Sequence, residues 1–414
     1  MMSDSLLINL TKIELIRWRD CEEVPSLGHL LNLRSVLIAD CTSLKFFQIS
    51  QSQSLQKLKL RDCPKLRCIS IHSLPSLRKL FIGRCTSLEE SENLQSTTST
   101  TLQQQPQEND LSLNGCTSLR ELTIAKCNGF TSILSGLHSC TSLRSLVIDD
   151  CPNLRTLSGH GLQTPVSLEV LIISQCPDLE AIPNLDNLTS LTELKIKDCG
   201  RLTSIPSGLA SCTSLTRLSV DGCHNLISLG DHNLSSLQSL SSLTVSNCGK
   251  LQYLPKGLQS LSCLERLWIG NFCKELDSFL DFQVPSKLKE LGLGGWPKLK
   301  SLPQPIQHST CLTSLSISDF HGLEALPEWL GDLTSLTQLE IYSCENLMYL
   351  PTVEAMQRLT KLHHLQIHRC PHLKDGLEWP TICHIPVIRG NFYFWSPYFY
   401  FWSPILFTHS RFLQ

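Results

Sequence analysis

The chain has 414 residues, of which 35 are Lys or Arg and 37 are Asp or Glu, for a formal net charge of -2. That balance excludes a global electrostatic pull toward nucleic acid or an anionic membrane, so charge-based recognition has to be local. The opening MMSDSLLINLTKIEL lacks the basic flank, long apolar run and small-residue cleavage site of a secretory signal, and residues 1–390 hold no apolar run long enough to span a bilayer.

In chain order, an irregular unit near Leu10 is followed by copies of L-x-x-L-x-[IVL]-x-x-C-x-x-L. The copies are anchored at Leu33, Leu55, Leu77, Leu119, Leu143, Leu168, Leu191, Leu215, Leu240, Leu264, Leu288, Leu312, Leu336 and Leu362. Spacings run from 22 to 26 residues, with one gap of 42 between Leu77 and Leu119. This is the period of a leucine-rich repeat, and it amounts to about fifteen copies. Each copy alternates as a short strand does: Leu194 and Ile196 read inward, while Glu193, Lys195 and Lys197 read outward. A second apolar set, such as Leu202, Ile205 and Leu209, follows in the return segment. Prolines recur there at Pro183, Pro206, Pro255, Pro303, Pro327 and Pro351. With a fixed φ and no amide proton, they suit a turn and interrupt a continuous helix.

The expected fold is an α/β leucine-rich-repeat solenoid, a horseshoe with a parallel β-sheet on its concave face and short helical or irregular returns on its convex face. Residues 1–88 read as an N-terminal repeat block and 115–373 as the main block. Between them, 89–114 is a low-complexity insertion whose Ser/Thr/Gln tract cannot form a core. Residues 374–390 read as a C-terminal cap contributed to by Trp379. The tail 391–414 repeats FYFWSP at 392–397 and 399–404 and reads as foreign to the fold. At the other end Leu6, Leu7, Ile8 and Leu10 lead straight into the first repeat, so its hydrophobic layer is expected to lack a polar cap.

Cysteine recurs once per copy, at Cys41, Cys63, Cys85, Cys127, Cys151, Cys176, Cys199, Cys223, Cys248, Cys344 and Cys370. At this corner the chain leaves the strand, and a small side chain with weak hydrogen-bonding ability fits. Phe272, Trp296 and Phe320 take the same slot in three successive copies, a replacement that apolar packing tolerates and disulfides or metal coordination do not. Cys116, Cys140 and Cys212 stand where other copies carry leucine. The thiols therefore read as reduced structural hydrophobes in a cytoplasmic chain.

The cluster HHLQIHRCPH invites a zinc reading, but His364 and His368 on one strand lie about 13 Å apart, too far to ligate one ion. There is no phosphate-binding G-x-x-x-x-G-K-[ST] loop, no G-x-S-x-G elbow and no H-E-x-x-H helix, so the chain offers no catalytic constellation and implies no cofactor or metal. Function is then expected in outward strand residues. Lys57, Lys59, Arg61, Lys79 and Arg84 make a basic patch diluted by Asp62, and Trp268, Tyr342, His364, His368 and Arg369 follow in later copies. Among these Trp268 is the most telling, because an exposed indole has no core reason to be large.

Three stretches carry a family resemblance: CEEVPSLGHLLNLRSVLI (21–38), the C-P-x-L-x-x-[IL]-P return at Cys176 to Pro183, and CPHLKDGLEWPTICHIPVI (370–388) with Trp379, Pro380, His384, Ile385 and Pro386. They resemble the repeat region of plant intracellular immune receptors of the coiled-coil, nucleotide-binding, leucine-rich-repeat class. The resemblance implies a non-enzymatic module that recognises a protein ligand, either a pathogen effector or a host protein that an effector modifies. It also implies that such a region restrains a nucleotide-binding switch. The chain departs from the family in carrying neither coiled coil nor nucleotide-binding domain, so a nucleotide-binding partner would come from another chain. The alternative is a substrate-selecting adaptor of a ubiquitin ligase, of the F-box type, which no F-box-like helical segment before the repeats supports.

Overall fold

The computed structural model of the chain describes residues 9–88, 113–133, 137–157, 166–229, 234–253, 256–272, 282–373 and 382–390. The chain divides into two units, Met1–His232 and Asn233–Gln414. In the first, the strands in chain order are β1 (Lys12–Ile16), β2 (Ser35–Ala39), β3 (Phe46–Ser50), β4 (Lys57–Arg61), β5 (Cys68–His72), β6 (Lys79–Gly83), β7 (Glu121–Ala125), β8 (Ser132–Ile133), β9 (Ser145–Asp149), β10 (Thr156–Leu157), β11 (Val170–Ser174), β12 (Glu193–Lys197) and β13 (Arg217–Asp221). β3 pairs with β5 and β8 with β10 as separate ribbons on the return side. The other strands form a parallel sheet in sequence order.

The second unit repeats the plan with β14 (Ser242–Ser246), β15 (Arg266–Gly270), β16 (Glu290–Gly294), β17 (Ser314–Ser318), β18 (Gln338–Tyr342), β19 (His364–His368) and β20 (Val387–Gly390), again parallel and in sequence order. Returns are short 3-10 turns such as Leu209–Ser211 and Leu258–Ser260, with one α-helix among the described residues, α1 (Val353–Arg358). Pro303 and Pro327 sit at the entry of the 3-10 turns Gln304–His308 and Glu328–Asp332, where a missing N–H costs nothing.

The register puts like on like. Leu171, Leu194 and Leu218 stack in one row, and Ile173, Ile196 and Val220 in the next, all fully buried or nearly so. Each short strand is half apolar and cannot bury that face alone, so the core is one continuous column of rungs within each unit. At the outer end of the first unit, β1 has Ile13 and Leu15 half-buried, whereas Val36 and Ile38 of β2 are buried. The Ser/Thr/Gln tract of 90–110, Trp379 and the aromatic tail of 391–414 lie outside the described residues. No helix among the described residues is long and apolar enough to cross a membrane.

The cysteine corner has a backbone reason that periodicity alone did not expose. The residue before each ladder cysteine has left-handed φ, including Asp62 (57°), Arg84 (53°), Lys126 (56°), Gln175 (54°) and Asp198 (53°). Its amide donates to the next rung, as from Asp198 to the carbonyl of Asp221 at 2.8 Å. The cysteine then turns back and its thiol donates to the last carbonyl of its own strand: Cys176 to Ser174 at 3.3 Å, Cys199 to Lys197 at 3.4 Å, Cys248 to Ser246 at 3.2 Å. Left-handed backbone costs an L-residue about 1–2 kcal/mol, which accounts for the Asp, Asn or Gly found there at Asp40, Asp150, Asp319, Asn247, Asn271, Gly222 and Gly295. That bias was the available sequence signal.

The ladder thiols are buried except Cys370, which is half-buried, and no disulfide joins the described cysteines. Burial pushes the thiols of Cys116, Cys127 and Cys212 up to about 11 and that of Cys140 to about 12. In Cys85, Cys151, Cys199 and Cys344 a hydrogen bond to the thiol of the adjacent rung, with burial, also raises the pKa, while the same bond lowers that of the partner thiols Cys63, Cys176, Cys223 and Cys370. Protonated, unreactive sulfur is what a packing role needs. Where aromatics replace cysteine, Phe272, Trp296 and Phe320 interlock edge-on, with ring centres 5.7 and 5.9 Å apart.

Candidate functional site

Side chains at the first, third and fifth positions of each strand project from the open face of the sheet, and parallel register aligns them in rows that cross the strands. In the first unit, Lys57, Lys59 and Arg61 of β4 lie beside Lys79, Phe81 and Gly83 of β6. Arg84 lies one residue beyond β6, at the left-handed exit. The patch is partly neutralised from within. Asp62 holds Arg84 at 2.6 Å and Arg61 at 3.3 Å, and Lys79 meets Glu121 at 2.6 Å. The ammonium of Lys59 rests 4.8 Å above the ring of Phe81, a half-buried aromatic that charge-centred reading of the sequence passed over.

Phe81 opens an apolar row. Its neighbours on successive strands are Thr123 of β7, Val147 of β9 and Ile172 of β11, and Lys195 of β12 and Ser219 of β13 follow. All are half-buried, held upright by their neighbours yet open on the solvent side. The signal was present as β-branched residues in outward positions, where most copies carry polar ones.

In the second unit Trp268 is 49% exposed. It lies between Thr244 of β14 and Gly292 of β16, and its indole covers the place a Cβ on Gly292 would occupy. A large ring can lie over the sheet here because its neighbour has no side chain. Beside it Ser314, Ser316, Glu290 and Glu340 line a cavity of about 160 Å³ that Trp268 and Arg266 also border. Trp268 therefore overhangs one side of a shallow depression instead of standing alone.

Tyr342, His364 and His368 come together at the other end of this unit. The rings of Tyr342 and His368 stack, with centres 5.7 Å apart and planes at 12°. Gln366 stands between the two histidines, its carbonyl 3.4 Å from Nε2 of His364 and its amide 2.9 Å from Nε2 of His368. Burial, then the charge and hydrogen bond of Glu340, raises the pKa of Tyr342, so its hydroxyl keeps its proton and donates to that carboxylate. The result is a pinned polar-aromatic platform. Arg369 falls at the left-handed exit one residue beyond β19, outside the strand positions that make these rows. No group of three or more His, Cys, Asp or Glu among the described residues is arranged to hold a metal ion.

A family model described as R13L1/DRL21 LRRs matches residues 299–370, which span β17, β18 and β19. Among solved structures, the chain is similar to a leucine-rich-repeat protein of Leptospira interrogans at 18% identity and a TM-score of 0.57, over 94% of this chain and 97% of that one. An internalin of Listeria monocytogenes is 20% identical with a TM-score of 0.48, over 88% of each chain. The leucine-rich repeat domain of the type III effector XopL is 26% identical with a TM-score of 0.42, over 61% of this chain and 77% of that domain. No curated protein sequence matches the chain. The first likeness is one of fold: the chain is a leucine-rich-repeat solenoid.

Proposed function

We propose that this leucine-rich-repeat solenoid is a non-enzymatic protein-recognition module of plant innate immunity, whose sheet face binds a pathogen effector or a host protein that an effector has modified. One observation carries the reading. Outward strand positions present aromatic and cationic side chains in ordered rows, while their inward neighbours are committed to the core. The resistance-protein character of the matched family model supports the immune setting. Lys57, Lys59, Arg61, Lys79 and Arg84 form one contact region, and Trp268, Tyr342, His364, His368 and Arg369 another. A nucleotide-binding domain on a separate chain is the further partner this reading admits, and the chain works in the cytoplasm.

Co-precipitation from infected plant tissue tests the proposal. Recovery of an effector or a nucleotide-binding receptor chain is expected, whereas recovery of ubiquitin-ligase core subunits instead would replace it with the adaptor reading. The double variant Lys57→Glu with Trp268→Ala is expected to release the partner, and Tyr253→Ala, an exposed change off the sheet face, to retain it. A partner indifferent to the double variant would refute the assigned face.

A further inference from the structure

The charges of the first unit's sheet are not evenly satisfied. From β4 to β13 every carboxylate carried by a strand is engaged: Glu121 by Lys79, Asp149 by the hydroxyl of Ser174, Glu193 by Arg217 at 2.8 Å, and Asp221 by Lys197 at 3.6 Å. The cations Lys57, Lys59 and Lys195 have no ionic partner among the described residues. Lys59 and Lys195 flank the stretch Phe81, Thr123, Val147 and Ile172 of a register row that continues to Leu37 and Glu14 beyond Lys59 and to Ser219 beyond Lys195, with Lys57 beside Lys59. An apolar strip thus lies between two unneutralised positive ends.

We propose that this row is the docking line for a segment of a protein partner that has an apolar centre and acidic ends. The inference deepens the recognition reading above and rests on it. Five inter-strand steps separate Lys59 from Lys195, about 24 Å at the usual spacing, and an extended peptide covers that distance in about seven residues. Such a segment crosses the strands, seats its central aliphatic side chains on Phe81, Val147 and Ile172, and brings carboxylates to Lys59 and Lys57 at one end and to Lys195 at the other. Burying the strip supplies the attraction, and the terminal charges supply register and selectivity. Nucleic acid fits less well: Val147 and Ile172 offer no aromatic surface for a base, and the cations stand at the ends instead of tracking a phosphate backbone.

The probe is a fluorescein-labelled nonapeptide, Asp-Glu-Ser-Ile-Leu-Ile-Ser-Glu-Asp, titrated against the full chain by anisotropy beside a counterpart with lysine at every acid. The acidic peptide is expected to bind more tightly by at least about tenfold and to weaken several-fold as salt rises from about 50 to about 500 mM. Lys59→Glu with Lys195→Glu should cost the acidic peptide at least about tenfold. Ile172→Thr, which keeps the β-branch and so the strand, should cost it about threefold, and Tyr253→Ala, an exposed change off the sheet face, should leave it unchanged. Thermal midpoints matching the parent establish that the variants fold. Equal binding of the two peptides, indifference to the lysine reversals, or displacement by an oligothymidylate would overturn the proposal. A natural partner released by Trp268→Ala yet insensitive to the lysine reversals overturns the row alone. One insensitive to every open-face variant overturns the recognition reading with it.

Discussion

Replacing Trp296 with alanine removes the largest fully buried side chain among the described residues from the column of corner residues. A buried indole covers about 200 Å², so at about 25 cal/mol per Å² its loss costs about 4 kcal/mol after allowing for the retained Cβ. The edge-on contacts to Phe272 and Phe320, at 5.7 and 5.9 Å, add about 1 kcal/mol each. Partial collapse of the cavity offsets some of this, giving a net loss of about 4–5 kcal/mol, within the range known for large aromatic truncations. Stability in a solenoid is a sum over rungs and their interfaces, so the damage should be greatest in the rungs of β15, β16 and β17. Urea unfolding followed by far-UV circular dichroism reads the size of the loss, and amide exchange resolved by rung reads its location. A double-mutant cycle with Phe272→Ala isolates the ring–ring contribution, expected near about 1 kcal/mol. A total loss below about 1 kcal/mol, with no cycle coupling, would refute the claim that packing alone explains what occupies this slot.

Alkaline pH attacks the buried thiols of the core. A thiol whose pKa rises on folding stabilises the fold through its neutral form, so that contribution is complete below the unfolded value near 9 and is lost as pH climbs through about 11 and 12. Urea midpoints measured from pH 8 to 12 should therefore fall in the upper part of that window, and Cys140→Ala should flatten part of the fall; midpoints constant to pH 12 would contradict the burial of these groups. Gln175→Gly relieves a left-handed backbone at φ 54° and should raise stability by about 0.5 kcal/mol, whereas Gly222→Val, whose Cβ would strike the Asp198 carboxylate, should lower it by at least about 2 kcal/mol, both read from the urea midpoint. A thiol-reactive dye should label the exposed Cys263, Cys311 and Cys383 of the native chain quickly and the buried ladder cysteines only after urea is added. Rapid labelling of Cys151 or Cys176 in the folded protein would show the ladder to be open.

Much of the scaffold was legible in one dimension because a repeat states its core rule many times. Leu194 and Ile196 follow the same alternation as Leu218 and Val220, so strand, face and parallel register come from period and pattern. The corner was only half legible. A small apolar group could be inferred from Cys199 alternating with Phe272 and Trp296, but the left-handed residue before it hid behind mixed chemistry, since Arg84, Lys126 and Gln175 share a conformation that Asp and Gly favour. Site chemistry was less legible still. Lys57 and Trp268 were visible as outward residues, whereas the neutralisation of Arg84 by Asp62 depends on which side chains meet across rungs.

What the amino-acid order alone determined, then, is the fold and the inward face, because burial is decided within each copy by two or three apolar positions that recur. What only the tertiary structure decided is the character of the open face. Phe81, Val147 and Ile172 come from copies tens of residues apart and become one strip only when register sets them side by side. Trp268 lies down across the sheet because the next copy happens to place Gly292 beside it. Contacts between rungs join residues that no single copy contains, and it is between rungs that the open face acquires its chemistry.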